Sequence, residues 1–420
     1  MRFIYTLALY LLVPAVLVRL LWRSRRAPDY RRRWGERFAL YRAREPEPFL
    51  WVHAVSVGEV QAAVPLVEAL LARQPSHPVV VTTTTPTGSQ RVRELFGDRV
   101  AHVYVPYDLP GAVRRFLNRY RPRIAVIMET ELWPNLFHGC SARRIPVVVA
   151  NARLSARSAR GYARVRSLIR DTLAQVTVIA AQGQADADRF LDLGADRARL
   201  RITGSIKFDL KLPASLREQA EVLRLQLGNA RPVWVAGSTH EGEEGQVLDA
   251  FAQVRKSVPD CLLVLVPRHP ERFAGAGALC RRRGFKVASR AAQEQVEADT
   301  DVYLGDTLGE LTLLYGAADV AFVGGSMVPV GGHNLLEPAA LGVAVVIGPH
   351  TFNFEEITRM LEEVGGVRKV HDSDELAGCL EALLRDANLR HNVGERARAF
   401  VDANRGALER LLNIISVWMR

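Results

Sequence analysis

The sequence predicts an α/β chain of two successive units, each a parallel sheet covered by helices on both faces, behind one apolar N-terminal helix. Three observations predict it. Short runs of β-branched and aliphatic residues alternate with amphipathic stretches along nearly the whole chain. Those runs are continuously apolar, as strands buried on both faces must be, and do not alternate with polar residues. The rhythm breaks once, at 209–232, where Pro213, a polar helix-like run and Gly228 fall together.

In chain order, residues 1–22 (MRFIYTLALYLLVPAVLVRLLW) carry only Arg2 and Arg19 as charges. An apolar run of ~20 residues can cross a bilayer as a helix, and Pro14 is tolerated in such a helix. Arg23, Arg25, Arg26 and Arg31 to Arg33 follow, an excess that the positive-inside rule places in the cytoplasm with the rest of the chain. A cleaved signal peptide is disfavoured, because the charge follows the apolar run and no small-x-small site comes after it. Shallow insertion along one face is the alternative to a span.

Strands of the first unit are expected at 50–56, 79–85, 102–106, 124–128, 147–150, 176–180 and 200–203, with helices such as 58–73, 111–120 and 157–173 between them. The second series is expected at 233–236, 261–266, 286–288, 302–304, 320–323 and 343–347, and a last helix at 407–418. The expected boundaries are an anchor at 1–22, a first domain at 23–208, a linker at 209–232, a second domain at 233–405 and a terminal helix at 406–420. Two such series suggest facing Rossmann-like domains with a cleft between them.

The chain's 420 residues are too many for one compact domain, and an apolar share of 48% fills two cores. Cys140, Cys261, Cys280 and Cys379 are scattered without a CxxC pair, which fits reduced thiols in the cytoplasm. The net charge of +11 points to anionic partners. No nucleic-acid module is recognisable, so an anionic membrane face and anionic substrates remain, beside plain compositional bias.

Four stretches carry chemistry. His53-Ala54-Val55-Ser56-Val57-Gly58-Glu59 leaves the first strand and opens a helix. Ligands of open α/β sheets sit beyond the carboxyl ends of strands, so Glu59 is expected in the cleft, ionised by the helix dipole and able to act as a general base. Glutamate in a first helical turn is also a common helix stabiliser. Glu129-Thr130-Glu131-Leu132-Trp133-Pro134-Asn135 follows the strand at 124–128 and places two carboxylates on one face; a solvated loop with a helix cap is the plainer reading. Gly204-Ser205-Ile206-Lys207-Phe208-Asp209 puts an ammonium at the last strand of the first unit, fit to neutralise a phosphate or carboxylate or to make a surface ion pair.

The fourth stretch is the second domain's set of strand ends. Gly237-Ser238-Thr239 offers amides and hydroxyls to a phosphate but lacks a Walker ending. Arg268 lies between Pro267 and Pro270 via His269, a stiff setting for an anion clamp. Gly324-Gly325-Ser326 and Gly331-Gly332-His333-Asn334-Leu335-Leu336-Glu337-Pro338 combine close backbone approach with a helix start. The Glu337 carboxylate can accept both hydroxyls of a ribose; a capping box of Asn334 and Glu337 is the alternative, disfavoured by Pro338. Asp186 and Asp188 resemble an acidic metal motif but fall on an amphipathic helix pattern, where solvation of both is expected. The histidines show no metal-ligand spacing.

With these blocks in hand, the chain resembles the Kdo transferases of lipopolysaccharide assembly over nearly its whole length. The blocks RRRWGER, HAVSVGE, TTTTPTG, YVPYDLP, METELWPN, NARLSARS, TGSIKFD, VPRHPERF, GDTLGELTLLYGAADVAFVGGS and GGHNLLEPA occur in order. The resemblance implies the glycosyltransferase B fold, a CMP-Kdo donor, a lipid A precursor (lipid IVA) as acceptor, and inverting transfer with neither metal nor cofactor. It implies that Glu59 takes the acceptor's proton and that Glu129 and Lys207 stabilise the transition state. Pro267, Arg268, Leu308, Gly309, Glu310, Asn334, Leu335, Leu336 and Glu337 would bind CMP. The first domain would then serve the acceptor and the second the CMP-sugar, at the cytoplasmic side of the inner membrane, with membrane lipids and no nucleic acid as further partners. The rivals are a glycosyltransferase of this fold using another nucleotide sugar, a soluble sugar-nucleotide epimerase, which the anchor disfavours, and a non-catalytic membrane scaffold that binds nucleotide.

Overall fold

In a computed structural model that describes residues 1–26, 28–41, 48–210 and 212–419, the chain divides into two units. The first is Met1–Asp209 with Arg405–Arg420; the second is Leu210–Asn404. Lys211 of the expected linker and Arg420 of the expected terminal helix lie outside the described residues.

The first unit's strands are β1 (Leu50–His53), β2 (Val79–Thr83), β3 (Ala101–Tyr104), β4 (Ile124–Met128), β5 (Val147–Ala152), β6 (Val178–Ala181) and β7 (Leu200–Ile202). They pair in the order β3-β2-β1-β4-β5-β6-β7, every pair parallel. Strands β1, β2, β4 and β5 are buried along their whole length, and successive residues feed opposite cores. Trp51, Ala125, Ile127 and Val149 join one cluster; Leu50, Val52, Val126 and Val148 join the other. The continuous apolar runs are the direct signature of this two-sided burial.

The second unit repeats the plan with β8 (Val233–Thr239), β9 (Leu262–Pro267), β10 (Val287–Ser289), β11 (Val302–Leu304), β12 (Val320–Val323), β13 (Ala344–Ile347) and β14 (Val367–Lys369). Their order is β10-β11-β9-β8-β12-β13-β14, again all parallel. Strand β14 had no sequence expectation, because only Val367 of its three residues is buried and the apolar run is missing. The stretch at 209–232 contains a helix, Leu216–Leu227, whose Leu223 and Leu227 enter a core cluster of the second unit.

One helix and one acidic residue differ from expectation here. The helix expected at 157–173 is two helices, Ala156–Ala163 and Arg166–Leu173. The break falls at Val165, a residue of low helix propensity that leaves the helical region with ψ 37°. Asp186, expected in solvent, is buried: its Oδ1 accepts from the Leu154 N–H at 2.8 Å. It is a loop staple, while Asp188 is exposed.

After the second unit the chain re-enters the first. The carboxylate of Asp209 accepts from the N–H groups of Gly406 and Leu408, both at 2.6 Å, and so caps the helix Ala407–Ile415. That helix buries Leu408, Leu411, Leu412 and Ile415 in the cluster beneath β1, β2 and β4. Leu411→Ala is therefore expected to cost about 2–5 kcal/mol, read as a fall in the denaturation midpoint of the first unit; an unchanged midpoint would mean that the helix is dispensable to the core.

Candidate active site and nucleotide loops

Three strand ends of the first unit bring its expected site residues together. β1 ends at His53, and the chain turns through Ala54 and Val55 to Ser56, the N-cap of the helix Val57–Arg73. Ser56 Oγ accepts from the Glu59 N–H at 3.4 Å, and Glu59 Oε2 accepts from the Val55 N–H at 2.9 Å. Glu59 thus contributes to the helix start, yet its remaining lone pairs are uncommitted to backbone. Burial, countered in part by the Val55 N–H, pushes its carboxyl up to about 7, and the charges of Glu129 and Glu131 push the same way. The expectation of a dipole-favoured ionised group is corrected: desolvation outweighs the helix N-terminus. The result is a carboxylate poised between its two states near neutral pH.

β4 ends at Met128, and Glu129 turns into the left-handed region at φ 54°. A non-glycine residue there costs about 1–3 kcal/mol. The Glu129 N–H still pairs with the Ala150 carbonyl at 2.9 Å, so the turn follows directly on the ladder. Lys207 Nζ stands 3.8 Å from Glu129 Oε1. Lys207 is not on β7, which stops at Ile202, but on the one-turn helix Ile206–Phe208. Asn151, also left-handed at φ 51°, fixes that turn: its Oδ1 accepts from the Ile206 N–H at 3.1 Å. Asn151 lies where the β5–β6 register shifts. It belongs to the NARLSARS block, in which the sequence alone assigns it no role.

Glu131 is held by Trp133, whose indole N–H donates to its Oε2 at 2.7 Å, and burial raises its carboxyl. Trp133 meets His53 edge to face at 5.8 Å. His53 is wholly buried, and burial pushes it down to about 4, so it is neutral at pH 7. Its Nδ1 pairs with Thr82 Oγ1 at 2.8 Å, while Nε2 has no partner among the described residues.

The second unit's loops are organised around a residue that sequence reasoning passed over. Glu243 is fully buried; its Oε2 accepts from the Gly325 and His240 N–H groups at 2.7 and 3.1 Å, and its Oε1 from those of Ser326 and Met327 at 3.0 and 2.9 Å. One carboxylate thereby shapes the Gly324-Gly325-Ser326 turn. A Cβ on Gly324 would lie 2.7 Å from the Ser238 carbonyl oxygen and 2.9 Å from Glu243 Oε2, so only glycine fits. Ser238 is left-handed at φ 57°, where the β8–β9 register shifts. The available signal for Glu243 was a glutamate in the first turn of the helix after Gly237-Ser238-Thr239.

Pro267 ends β9, and the Arg268 N–H donates to the Thr239 carbonyl at 2.9 Å, leaving the guanidinium exposed. His240 and His333 stack with their Nε2 atoms 2.7 Å apart, and His269 meets His240 edge-on. Burial, then the neighbouring His240 and Arg268, pushes His333 down to about 4. Asn334 Nδ2 donates to Glu337 Oε1 at 2.9 Å, and Thr312 Oγ1 donates to Oε2 at 2.9 Å. Asn334 and Glu337 thus meet side chain to side chain without forming a capping box: the helix N-cap is Leu335, and Asn334 Oδ1 accepts from the Leu336 N–H at 3.2 Å. Pro338 does sit in the first turn of the helix Leu336–Ala340. The Glu310 side chain is committed to Arg290 through two bonds of 2.8 and 2.7 Å, which leaves the turn at Leu308 and Gly309, with Gly309 at φ 82°, as the exposed element. A hollow of about 1280 Å³ in this unit borders Glu310 but none of the other expected nucleotide residues. Among the described residues no group of three His, Cys, Asp or Glu is placed to hold a metal.

Residues 32–210 match the family model described as 3-deoxy-D-manno-octulosonic-acid (Kdo) transferase, and residues 245–400 that of glycosyl transferases group 1. A 3-deoxy-D-manno-octulosonic acid transferase of Haemophilus influenzae is 44% identical over 421 residues, covering 100% of this chain and 99% of the relative. The chain belongs to the Kdo transferase family. It is a glycosyltransferase of Kdo transfer in lipopolysaccharide biosynthesis. The Bordetella pertussis Kdo transferase is 39% identical over 440 residues, covering 100% of this chain and 99% of that one. Among solved structures, Acinetobacter baumannii MurG superposes with a TM-score of 0.57 at 14% identity, covering 88% of this chain and 99% of that one. That likeness is one of fold, and the fold is that of glycosyltransferase B enzymes.

The burial of Glu59 predicts a pH signature in this Kdo transferase. Its folded value near 7 lies above the ordinary 4.5, so its contribution to stability is fully present below about pH 4.5 and is lost as pH rises to about 7. Glu59→Gln removes that loss. The variant's stability relative to the parent should rise from pH 5 to pH 8 in chemical denaturation; a pH-independent difference would mean that Glu59 is not desolvated.

Proposed function

We propose that the protein carries out inverting, metal-independent transfer of Kdo from CMP-Kdo to a hydroxyl of the lipid A precursor lipid IVA, with Glu59 as general base. The observation that carries this reading is a carboxylate held near pKa 7 beside the Glu129–Lys207 pair, in a chain of the Kdo transferase family. An alcohol is a poor nucleophile at neutral pH until a base takes its proton. In this scheme the acceptor oxygen bonds to the anomeric carbon of Kdo and its proton passes to Glu59. The bond from that carbon to the phosphate oxygen breaks on the opposite side, and CMP leaves with the electron pair. Lys207 supplies positive charge for the donor's anionic groups, oriented by Glu129. The acidic side chain of Glu129 also suits the cationic character that develops on the sugar.

The second unit's residues divide the nucleotide between them. Arg268, exposed on a backbone pinned to β8, serves the phosphate. The Glu337 carboxylate, preset by Asn334 and Thr312, serves the ribose hydroxyls, and the Leu308–Gly309–Glu310 turn and Leu335–Leu336 complete the site with Pro267. The arginine excess suits an anionic donor, a phosphorylated acceptor and an anionic membrane face. Attachment is assigned to helix α1 (Arg2–Arg26), which is long and apolar enough to cross a membrane.

Glu59→Gln should lower turnover by about 10²–10⁴ while the Kd for CMP, measured by titration on the same preparation, is unchanged. The parent's kcat/KM should rise with pH through an apparent pKa near 7. Near-normal turnover of folded Glu59→Gln would reject the base. CMP at ~100 times its Kd should add about 2.7 kcal/mol of stability where UDP adds little; equal protection by UDP would reject the donor.

A further inference from the structure

α1 does more than tether. Its residues Tyr5, Leu9, Val13, Val16, Leu20 and Ser24 recur at helical spacing and are half-buried or buried against the first unit, whereas Phe3, Leu11 and Val18 on other faces are 80%, 74% and 65% exposed. The helix is fixed there by side chains: Tyr5 Oη donates to Asp108 Oδ2 at 3.0 Å, and Thr6 Oγ1 pairs with Asn135 Oδ1 at 3.1 Å. Between this inner stripe and the rest of the unit lies a cavity of about 290 Å³. Tyr5, Leu9 and Val13 wall one side; Phe38, Leu132 and Trp133 wall the other.

We propose that this cavity binds one acyl chain of the lipid acceptor, a reading that rests on the function proposed above. Two observations select a hydrocarbon chain. The first is that the polar atoms around the cavity are already used. Tyr5 Oη and the backbone N–H groups of Asn135 and Leu136 fill the Asp108 carboxylate. The Trp133 indole N–H is given to Glu131, and Tyr107 is bonded to Arg37. What remains to an occupant is apolar surface, and a pocket lined in this way favours an apolar ligand. A volume just under the ~300–1,000 Å³ of small-ligand pockets suits one chain and not a phosphorylated sugar.

The second observation is continuity with the site. Leu132 and Trp133 belong to the segment that carries Glu129 and Glu131, and Trp133 touches both Glu131 and His53. A lipid whose chain lies against Trp133 has its sugar end beside the carboxylates. On the other side the cavity is closed by a helix whose outer face is apolar and exposed, the face a bilayer covers. The chain thus passes from lipid to site along α1, and the helix is one wall of the acceptor site.

The test fills the cavity without touching the carboxylates. Val13→Trp, with Leu9→Phe as a milder filler, is compared with Leu11→Trp on the exposed face, using full-length protein. Transfer is measured to the tetraacylated acceptor and to the same phosphorylated disaccharide with its chains removed. Both fillers should raise KM for the acylated acceptor at least tenfold and leave transfer to the deacylated one within twofold, and Leu11→Trp should change neither. An equal loss on both acceptors, or no loss on either, overturns the proposal. In parallel, a fatty acid bearing a diazirine is photocrosslinked and the labelled residues are read by mass spectrometry. Labelling at 5–16 and 132–133 that the fillers abolish supports the cavity, and labelling that they leave intact overturns it. If the parent transfers Kdo to neither acceptor, the functional reading fails while the crosslinking result still decides the cavity.

Discussion

A parallel strand covered by helices on both faces has no place for a charge along its length, and this constraint arranges everything else in the molecule. β4 runs Ile124–Met128 without a polar side chain, and Glu129 and Glu131 follow at once. β9 runs Leu262–Pro267, and Arg268 is the next residue. The chemistry is displaced to the strand ends, where the chain leaves the two cores, and in an open parallel sheet ligands gather beyond the carboxyl ends. At those ends the backbone also departs from the ladder. Glu129, Asn151 and Ser238 are all left-handed without being glycine, and Asn151 and Ser238 coincide with register shifts. Each turn re-aims a side chain or an amide, and the surrounding ladder bonds hold it against its strain.

The same low-dielectric surroundings set the carboxylates' roles apart. Asp108 caps the helix Pro134–Ser141 and ties α1 through Tyr5, and its carboxyl is raised by burial to about 6. Glu243 is committed to four amides and has no capacity left for a ligand. Glu310 is drawn below its usual range by Arg290. Glu59 differs from all of these. Among the described residues it has one backbone donor, no cation paired to it and two acidic neighbours, and its value is raised into the neutral range. A half-buried, desolvated carboxylate that the fold does not consume is free to move a proton.

Legibility in the sequence followed the length over which a signal is spread. The two-sheet plan was readable because two-sided burial marks every residue of β1, β2, β4, β8 and β9. β14 was not, since an edge strand of three residues with one buried side chain leaves no run. The break at Val165 and the burial of Asp186 depend on packing that no local spacing encodes. Glu59, Glu129 and Lys207 stood out as chemistry-bearing residues at strand ends, but the reason Glu59 is poised near neutrality, burial outweighing the helix dipole, exists only in three dimensions. Glu243 and Asn151 were missed for a related reason. Each acts on backbone far along the chain, at Gly325–Met327 and at Ile206, and neither partner is marked in sequence.

The most direct measurement of the central claim follows mass. Purified protein is incubated with CMP-Kdo and the tetraacylated lipid A precursor in the presence of a divalent-metal chelator, and the lipid products are read by mass spectrometry. The expected product is a lipid heavier by one or more Kdo residues, with CMP released in equal number. Unmodified lipid from protein that is folded and binds CMP, or product that forms only when a divalent metal is restored, would contradict it.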